Sequence, residues 1–184
     1  MILPDLDARH RRPELMDAPS LAPALRASAL RALARVNVLS GVAHSIWAET
    51  RELISGEVPQ TIRILDVACG GGDVVVSLAR RAARAGLDLE VHGCDVSPAA
   101  LEVARENAGR AGVRAHFFEL DVLRGGMPDG YDIVCCSLFL HHLDESDAVA
   151  LLGTMAESSR HTLLVQDLRR TVAGYLLAFG VLRL

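Results

Sequence analysis

The apolar positions in the first third of the chain recur, where they recur at all, at helical spacing. Residues 1–20 carry Pro4, Pro13 and Pro19 and no sustained period, and read as an arm. Pro23 opens a helix whose stripe runs through Leu25, Ala29, Leu33 and Val36. A second stripe follows at Leu39, Val42, Ala43, Ile46, Trp47, Thr50, Leu53 and Ile54, the spacing of an amphipathic helix, and Ser55-Gly56-Glu57-Val58-Pro59 ends it. On that stripe Trp47 reads as core packing.

From residue 60 the texture changes. Ile62 to Val67 is short, apolar and β-branched, which predicts a strand. Gly72 to Ala85 predicts a helix stopped by Gly86. Further strands are predicted at Leu87–Cys94, Arg114–Leu120, Tyr131–Ser137 and His161–Asp167. The helices between them start at Ser97-Pro98, a serine cap with proline in the first turn, and at Asp144, running to about Arg110 and to Glu157. Thr171 to Leu184 is a last, very apolar helical stretch. Strands alternating with helices of this length imply right-handed crossovers and a parallel sheet. The expected fold is therefore α/β: a Rossmann-like, doubly wound sheet of five parallel strands over residues 59–184, with residues 1–58 as an arm and a helical cap.

Composition narrows the classes. At 184 residues, with hydrophobic residues at 51%, the chain can build one core, and aromatics at 4% leave that core to Ala, Leu and Val. All 19 basic residues are arginine, no basic run accompanies them, and the net charge is −4, which argues against broad nucleic-acid binding. The four cysteines, Cys69, Cys94, Cys135 and Cys136, form no C-x-x-C pair, so neither a disulfide scaffold nor a zinc site is expected and a reducing compartment fits. The N-terminus lacks the apolar core of a signal peptide, and Val172–Leu182 is too short to span a bilayer, so the expectation is a soluble, cytoplasmic protein without a membrane partner.

In a doubly wound sheet the ligand lies beyond the carboxyl ends of the strands, so the residues that follow each strand carry the chemistry. After the first strand comes Asp66-Val67-Ala68-Cys69-Gly70-Gly71-Gly72-Asp73. After the second comes Asp95, 23 residues beyond Gly72, placed to accept the hydroxyls of a ribose. After the third comes Asp121, and after the fourth Ser137-Leu138-Phe139-Leu140-His141-His142-Leu143. A dinucleotide loop would need a third glycine where Val75 stands, and a pyrophosphate would be repelled by Asp66 and Asp73. A ligand carrying a nucleoside, an ammonium and a sulfonium would be attracted instead. A nicotinamide-dependent reductase is disfavoured on the same residues.

With these motifs in order, residues 62–167 resemble the class I S-adenosylmethionine-dependent methyltransferases, small-molecule type. Leu65 to Gly72 is similar to the family's first motif, with Ala68 where the pattern usually has glycine. Pro13-Glu14-Leu15-Met16-Asp17 and the helices after it resemble bacterial enzymes related to quinone-biosynthesis and polyketide-associated methyltransferases. The resemblance implies S-adenosylmethionine as cofactor, with Asp66, Ala68, Cys69, Gly70, Gly72 and Asp73 around the loop. It further implies Asp95 and Val96 at the ribose, Asp121 and Val122 at the adenine, and Ser137 and Leu138 closing the site. It implies methyl transfer to a small-molecule acceptor, with a phenolic, quinol or polyketide-type ring the best fit. His141 or His142 would remove the acceptor's proton, since imidazole titrates near neutrality.

The complete family fold has seven strands, and this chain stops after the fifth and one helix. The final strands are therefore expected to be missing, leaving Tyr175, Leu176, Leu177, Phe179 and Leu182 uncovered and open to self-association through that edge. On that reading the alternative is a truncated, non-catalytic remnant that binds S-adenosylmethionine without turnover.

Overall fold

The computed structural model describes residues 41–55 and 61–167, together with Leu25, residues 28–30, Ala34, Arg35 and Asn37. The predicted arm over residues 1–20 and the apolar stretch Thr171–Leu184, with the edge it was expected to expose, lie outside the described residues. The described positions between 25 and 37 are helical, apart from which the elements run in the order α1 Val42–Ser55, β1 Ile62–Val67, α2 Asp73–Ala85, β2 Leu89–Asp95, α3 Pro98–Ala111, β3 His116–Glu119, β4 Tyr131–Ser137, α4 Glu145–Ser158 and β5 Ser159–Gln166, with a 3-10 turn at Leu140–His142 before α4. The five strands form one parallel sheet in the order β3-β2-β1-β4-β5. The order reverses between β1 and β4, where ligands bind in doubly wound sheets.

Local chemistry accounts for the element ends. Gly86 and Gly112 close α2 and α3 in the left-handed conformation, with φ of 65° and 64°. Ser97 opens α3 by accepting the Ala100 N–H at 3.3 Å, ahead of Pro98. The sheet differs from the expected spans mainly at β2, which begins at Leu89, and at β5, which begins at Ser159 directly after α4. Arg160 and His161 are exposed, so the start of β5 lacks the apolar pattern that betrays a strand.

Alternation along β1 sends Ile62 and Ile64 to one face and Leu65 and Val67 to the other. The first face packs on α1, α2 and α3 through Val42, Ile46, Val75, Leu78, Leu101 and Ala104. The second packs on α4 through Leu151 and Met155. Trp47 joins the first core as partly buried packing, and Thr50, fully buried, satisfies its hydroxyl on the Ile46 carbonyl at 2.8 Å. Thus α1 seats its apolar stripe in the same core as the sheet. Among the described residues, no helix is long and apolar enough to cross a membrane.

Candidate functional site

Register brings the carboxyl ends of the central strands together. Val67 of β1 pairs with Cys94 of β2 and Cys136 of β4, and Asp95 pairs with Glu119 of β3. The segments that leave those ends therefore stand side by side: the glycine loop from β1, Asp95-Val96 from β2, Asp121-Val122 after β3, and Ser137 to His142 from β4.

The glycine loop is an unusual piece of backbone. Ala68, Gly70 and Gly72 all have positive φ, at 55°, 52° and 70°. Cys69 N–H donates to the Cys94 carbonyl at 2.9 Å, and Gly72 N–H to the Cys69 carbonyl at 2.9 Å, so the chain folds back before α2 starts. Asp95 spans the loop: its Oδ2 accepts the Gly70 N–H at 2.8 Å and its Oδ1 the Ser97 N–H at 2.9 Å. From α3, Asn107 donates its amide to the Gly71 carbonyl at 2.9 Å. From the N-terminal helical segment, Asn37 donates to Asp73 Oδ2 at 3.0 Å, and Leu30 lies nearest the position a Gly70 side chain would take. Asn37, Leu30 and Asn107 escaped the sequence reading, because an amide or a leucine on a helix carries no motif until the fold brings it to the loop.

Ala68 holds a left-handed conformation that costs an alanine about 1–2 kcal/mol, while glycine loses about 0.5–1 kcal/mol in chain entropy. Ala68→Gly is therefore expected to raise the unfolding free energy by about 0.5–1 kcal/mol, read as a higher urea midpoint at unchanged slope. A lower midpoint would show that the alanine methyl contributes packing that outweighs the strain.

The loop is lined with acid. Asp66, the next-to-last residue of β1, is 1% exposed. Its burial and the neighbouring charge of Asp73 hold its carboxyl well above the usual carboxylate range, although Cys135 Sγ donates to it at 3.7 Å. Burial also raises Asp73, against the opposing hydrogen bond from Asn37. A raised native pKa means that the folded protein binds more protons than the unfolded chain once pH exceeds about 3.9, so stability falls as pH climbs from there to the native value. Asp66→Asn removes Asp66's share of that slope and leaves that of Asp73. The expected result is a higher melting temperature for the ligand-free variant at neutral pH, no gain below about pH 4, and weaker binding of a cationic ligand. Equal melting at neutral pH would show that Asp66 carries no such penalty.

The remaining predicted positions are placed as follows. Cys69 is buried, burial pushes its thiol up, and Cys94 is pushed up to about 12, so both are packing groups with unreactive thiols at neutral pH. Val96 is 59% exposed and can meet a ligand over the β2 end. Asp121 accepts the Leu123 N–H at 3.1 Å and pairs with Arg124 at 3.7 Å, closing a turn that contains Val122. Ser137 ends β4, and Leu138 follows at a φ of 53°, its N–H donating to the Gln166 carbonyl at 2.9 Å. His141 and His142 lie in the 3-10 turn with ring centres 4.2 Å apart. His92 and His116 sit within β2 and β3, His92 against the Tyr131 hydroxyl at 2.8 Å, and His44 is exposed on α1. All four described cysteines are free and buried, and no cluster of metal-ligating side chains occurs among the described residues.

Comparison with known proteins decides between the ligand classes this geometry allows. The sequence matches the family described as a methyltransferase domain over residues 64–161, more than half of the chain. The chain belongs to the class I S-adenosylmethionine-dependent methyltransferases. It is 30% identical over 135 residues to the ubiquinone biosynthesis O-methyltransferase of Ralstonia nicotianae, covering 72% of this chain and 52% of that protein. It is 35% identical over 119 residues to the enzyme of the same description from Alkalilimnicola ehrlichii, covering 63% and 45%. The chain spans about half the length of the curated relatives it matches. In fold it is similar to the magnesium protoporphyrin IX methyltransferase of Synechocystis PCC 6803 with bound SAH, at a TM-score of 0.58 and 21% identity over 77% of this chain and 62% of that one. Val75, on the buried face of α2, fills the core at the position where a dinucleotide loop would carry its third glycine. The methyl donor of the family, S-adenosylmethionine, suits the loop's chemistry. The buried Asp66 carboxyl, raised further by the charges of Asp73 and Asp95, is relieved by a bound cation, whereas an anionic pyrophosphate would add to the repulsion.

Proposed function

We propose that this chain binds S-adenosylmethionine at the glycine loop and transfers its methyl group to a small-molecule acceptor carrying a phenolic, quinol or polyketide-type hydroxyl. The observation that carries the reading is the acid-lined loop: Asp95 holding Gly70 in place, with Asp66 buried and Asp73 half-buried beside it. In this reading Asp95 and Val96 hold the ribose, with the Asp95 carboxylate fixed at the carboxyl end of β2 by the Gly70 and Ser97 amides. Asp121 and Val122 read the adenine, and Ala68, Cys69, Gly70 and Gly72 shape the floor. Asp66 and Asp73 attract the ligand's positive charge, and Ser137 and Leu138 close the β4 side. The relatives named as O-methyltransferases support an oxygen acceptor.

When bound, S-adenosylmethionine supplies a methyl group on a sulfonium centre; the C–S electron pair leaves with sulfur as a neutral thioether while the acceptor's pair forms the new bond to carbon. The protein's task is then alignment of nucleophile and methyl. Titration calorimetry tests the reading directly. S-adenosylhomocysteine should bind and stabilise the fold while NAD and NADP do neither, because a ligand that binds only the native state raises its apparent stability. Stabilisation by NAD alone would reverse the assignment.

A further inference from the structure

Two histidines inside the sheet, which the methyl-transfer reading does not use, meet on the face that carries Leu65. His92 of β2 and His116 of β3 are register partners, and their ring centres lie 5.3 Å apart in an edge contact. On the outer side His116 stacks on Phe118 at 5.9 Å. On the inner side His92 sets Nδ1 against the Tyr131 hydroxyl at 2.8 Å, and the Arg63 guanidinium lies 4.8 Å over the Tyr131 ring. Arg63 pairs in turn with Glu90 at 3.1 Å. Among the described residues, the titratable and charged groups that face His92 are His116 from β3, Arg63 from β1, Tyr131 from β4 and Glu90 from its own strand. The strand beyond them is short: β3 has four residues and stands at the end of the strand order, beside β2. It leads into Asp121 and Val122, and just past it the Leu120 N–H donates to the Asp95 carbonyl at 3.1 Å. The pairing of β2 with β3 therefore sets Asp95 and Asp121 relative to each other.

We propose that His92 and His116 form a proton-sensitive clasp: neutral, they hold β3 on β2, and protonated, they release β3 and the Asp121-Val122 segment with it. The consequence for the cofactor rests on the methyl-transfer reading above, which gives that segment the adenine. Neutral rings attract one another edge to face. With a proton on each, two imidazolium rings and the Arg63 guanidinium crowd one face of the sheet, where Glu90 is already paired with Arg63, and like charges in contact repel. The hydrogen bond inside the cluster changes as well. Neutral His92 can accept the Tyr131 hydroxyl hydrogen on Nδ1, but in the imidazolium both nitrogens donate and the hydroxyl has to turn away. Burial holds the Tyr131 phenol above its ordinary value, so it stays protonated throughout. Burial likewise pushes the His92 pKa down, and the charges of His116 and Arg63 push it further, against the opposing pull of Glu90. A histidine held below its unfolded value of about 6.5 contributes stability above that pH, which is lost as pH falls from there toward the folded value. Release of β3 relieves that loss at the least cost. It separates the two rings and returns the half-buried His92 to water, while β1 keeps its pairing with β2 and β4. Acid thus opens the nucleoside side of the site locally, ahead of the core.

The test compares the full chain at about pH 7.5 and about pH 5.5, on either side of the histidine range, with His92→Gln and His116→Gln beside the wild type. Glutamine is uncharged at both, and at position 92 it keeps an acceptor for the Tyr131 hydroxyl. Amide hydrogen exchange is read as protection relative to the intrinsic rate at each pH. On acidification the wild-type protection of β3 should fall by at least about tenfold, and that of β1 by less than about threefold. Either variant should hold the β3 fall to less than about threefold. Calorimetric affinity for S-adenosylhomocysteine should drop by at least about fivefold in the wild type over the same interval, and by less than about twofold in the variants. His116 is exposed, so His116→Gln keeps the test decisive if His92→Gln does not fold. Protection of β3 that is equal at both pH values, or that falls as far in His116→Gln as in the wild type, overturns the clasp. Opening of β3 with unchanged affinity overturns its hold on the nucleoside side. Failure of S-adenosylhomocysteine to bind at the higher pH overturns the methyl-transfer reading, and the exchange data then judge the clasp by themselves.

Discussion

Replacing Asp95 with alanine is expected to weaken S-adenosylhomocysteine binding by at least tenfold and to lower the unfolding free energy by about 2–3 kcal/mol. The two losses share one cause. Asp95 is the acceptor for the backbone amides of Gly70 and Ser97, at 2.8 and 2.9 Å, so a single carboxylate ties the glycine loop to the first turn of α3. Hydrogen bonds to a charged acceptor are each worth about 1.5–3 kcal/mol, discounted here because both amides are only partly buried. Alanine leaves both donors without that partner and frees the loop to which the proposed function assigns the ligand. Asparagine distinguishes geometry from charge. Its amide keeps one acceptor oxygen but turns an NH₂ toward the second N–H, donor against donor, so Asp95→Asn should recover less than half of the lost stability. Unchanged calorimetric affinity in Asp95→Ala would remove Asp95 from the ribose and the loop from the binding mechanism.

The strands and their crossovers were legible because the core is built by short-range pattern. Ile62, Ile64, Leu65 and Val67 alternate on a strand buried on both faces, and serine, proline and glycine mark the helix ends where the backbone needs them. The placing of the acids after β1, β2 and β3 was legible for a different reason: once strands are placed, topology says which residues gather at their carboxyl ends. What was hidden is the support. Asn107 and Asn37 hold the loop from helices 36 residues away in either direction, at Gly71 and Asp73. Asp167 reads as the last residue of a strand, yet it lies just past Gln166 and turns back to His141 across 26 residues. Neither histidine of the pair could be preferred from sequence, since adjacent residues in a turn differ only in what the fold sets opposite them. The same holds for Gly93, unremarkable within β2, where a side chain would collide with Cys69 Sγ at 2.7 Å.

Gly70 and Gly72 share a positive φ and stand two residues apart, yet the same substitution should strike different properties. At Gly72 an added Cβ would lie 2.8 Å from Ala104 Cβ and 2.8 Å from Phe117 Cε1, both in the buried core under the sheet. Neither neighbour is the loose end of a flexible chain, so α3 or β3 has to move. Overpacking of this kind costs about 1–3 kcal/mol, and the left-handed backbone adds about 1–2 kcal/mol for alanine. Gly72→Ala should therefore lose about 2–5 kcal/mol, a large part of the 5–15 kcal/mol typical of a domain. At Gly70, among the described residues, the added Cβ meets only Leu30 Cδ2, at 3.5 Å, an ordinary contact. Gly70→Ala should cost about 1–2 kcal/mol, from the backbone alone, and leave the sheet intact. Gly70→Val should in addition abolish S-adenosylhomocysteine binding, because its branches extend over the loop where the ligand is to lie. Urea denaturation and calorimetry on the three variants separate the two effects. If Gly70→Val binds with wild-type affinity, the ligand does not cross the loop at Gly70. If Gly72→Ala is no less stable than Gly70→Ala, the contact with Ala104 and Phe117 is softer than close packing of the core requires, and α3 has room to shift.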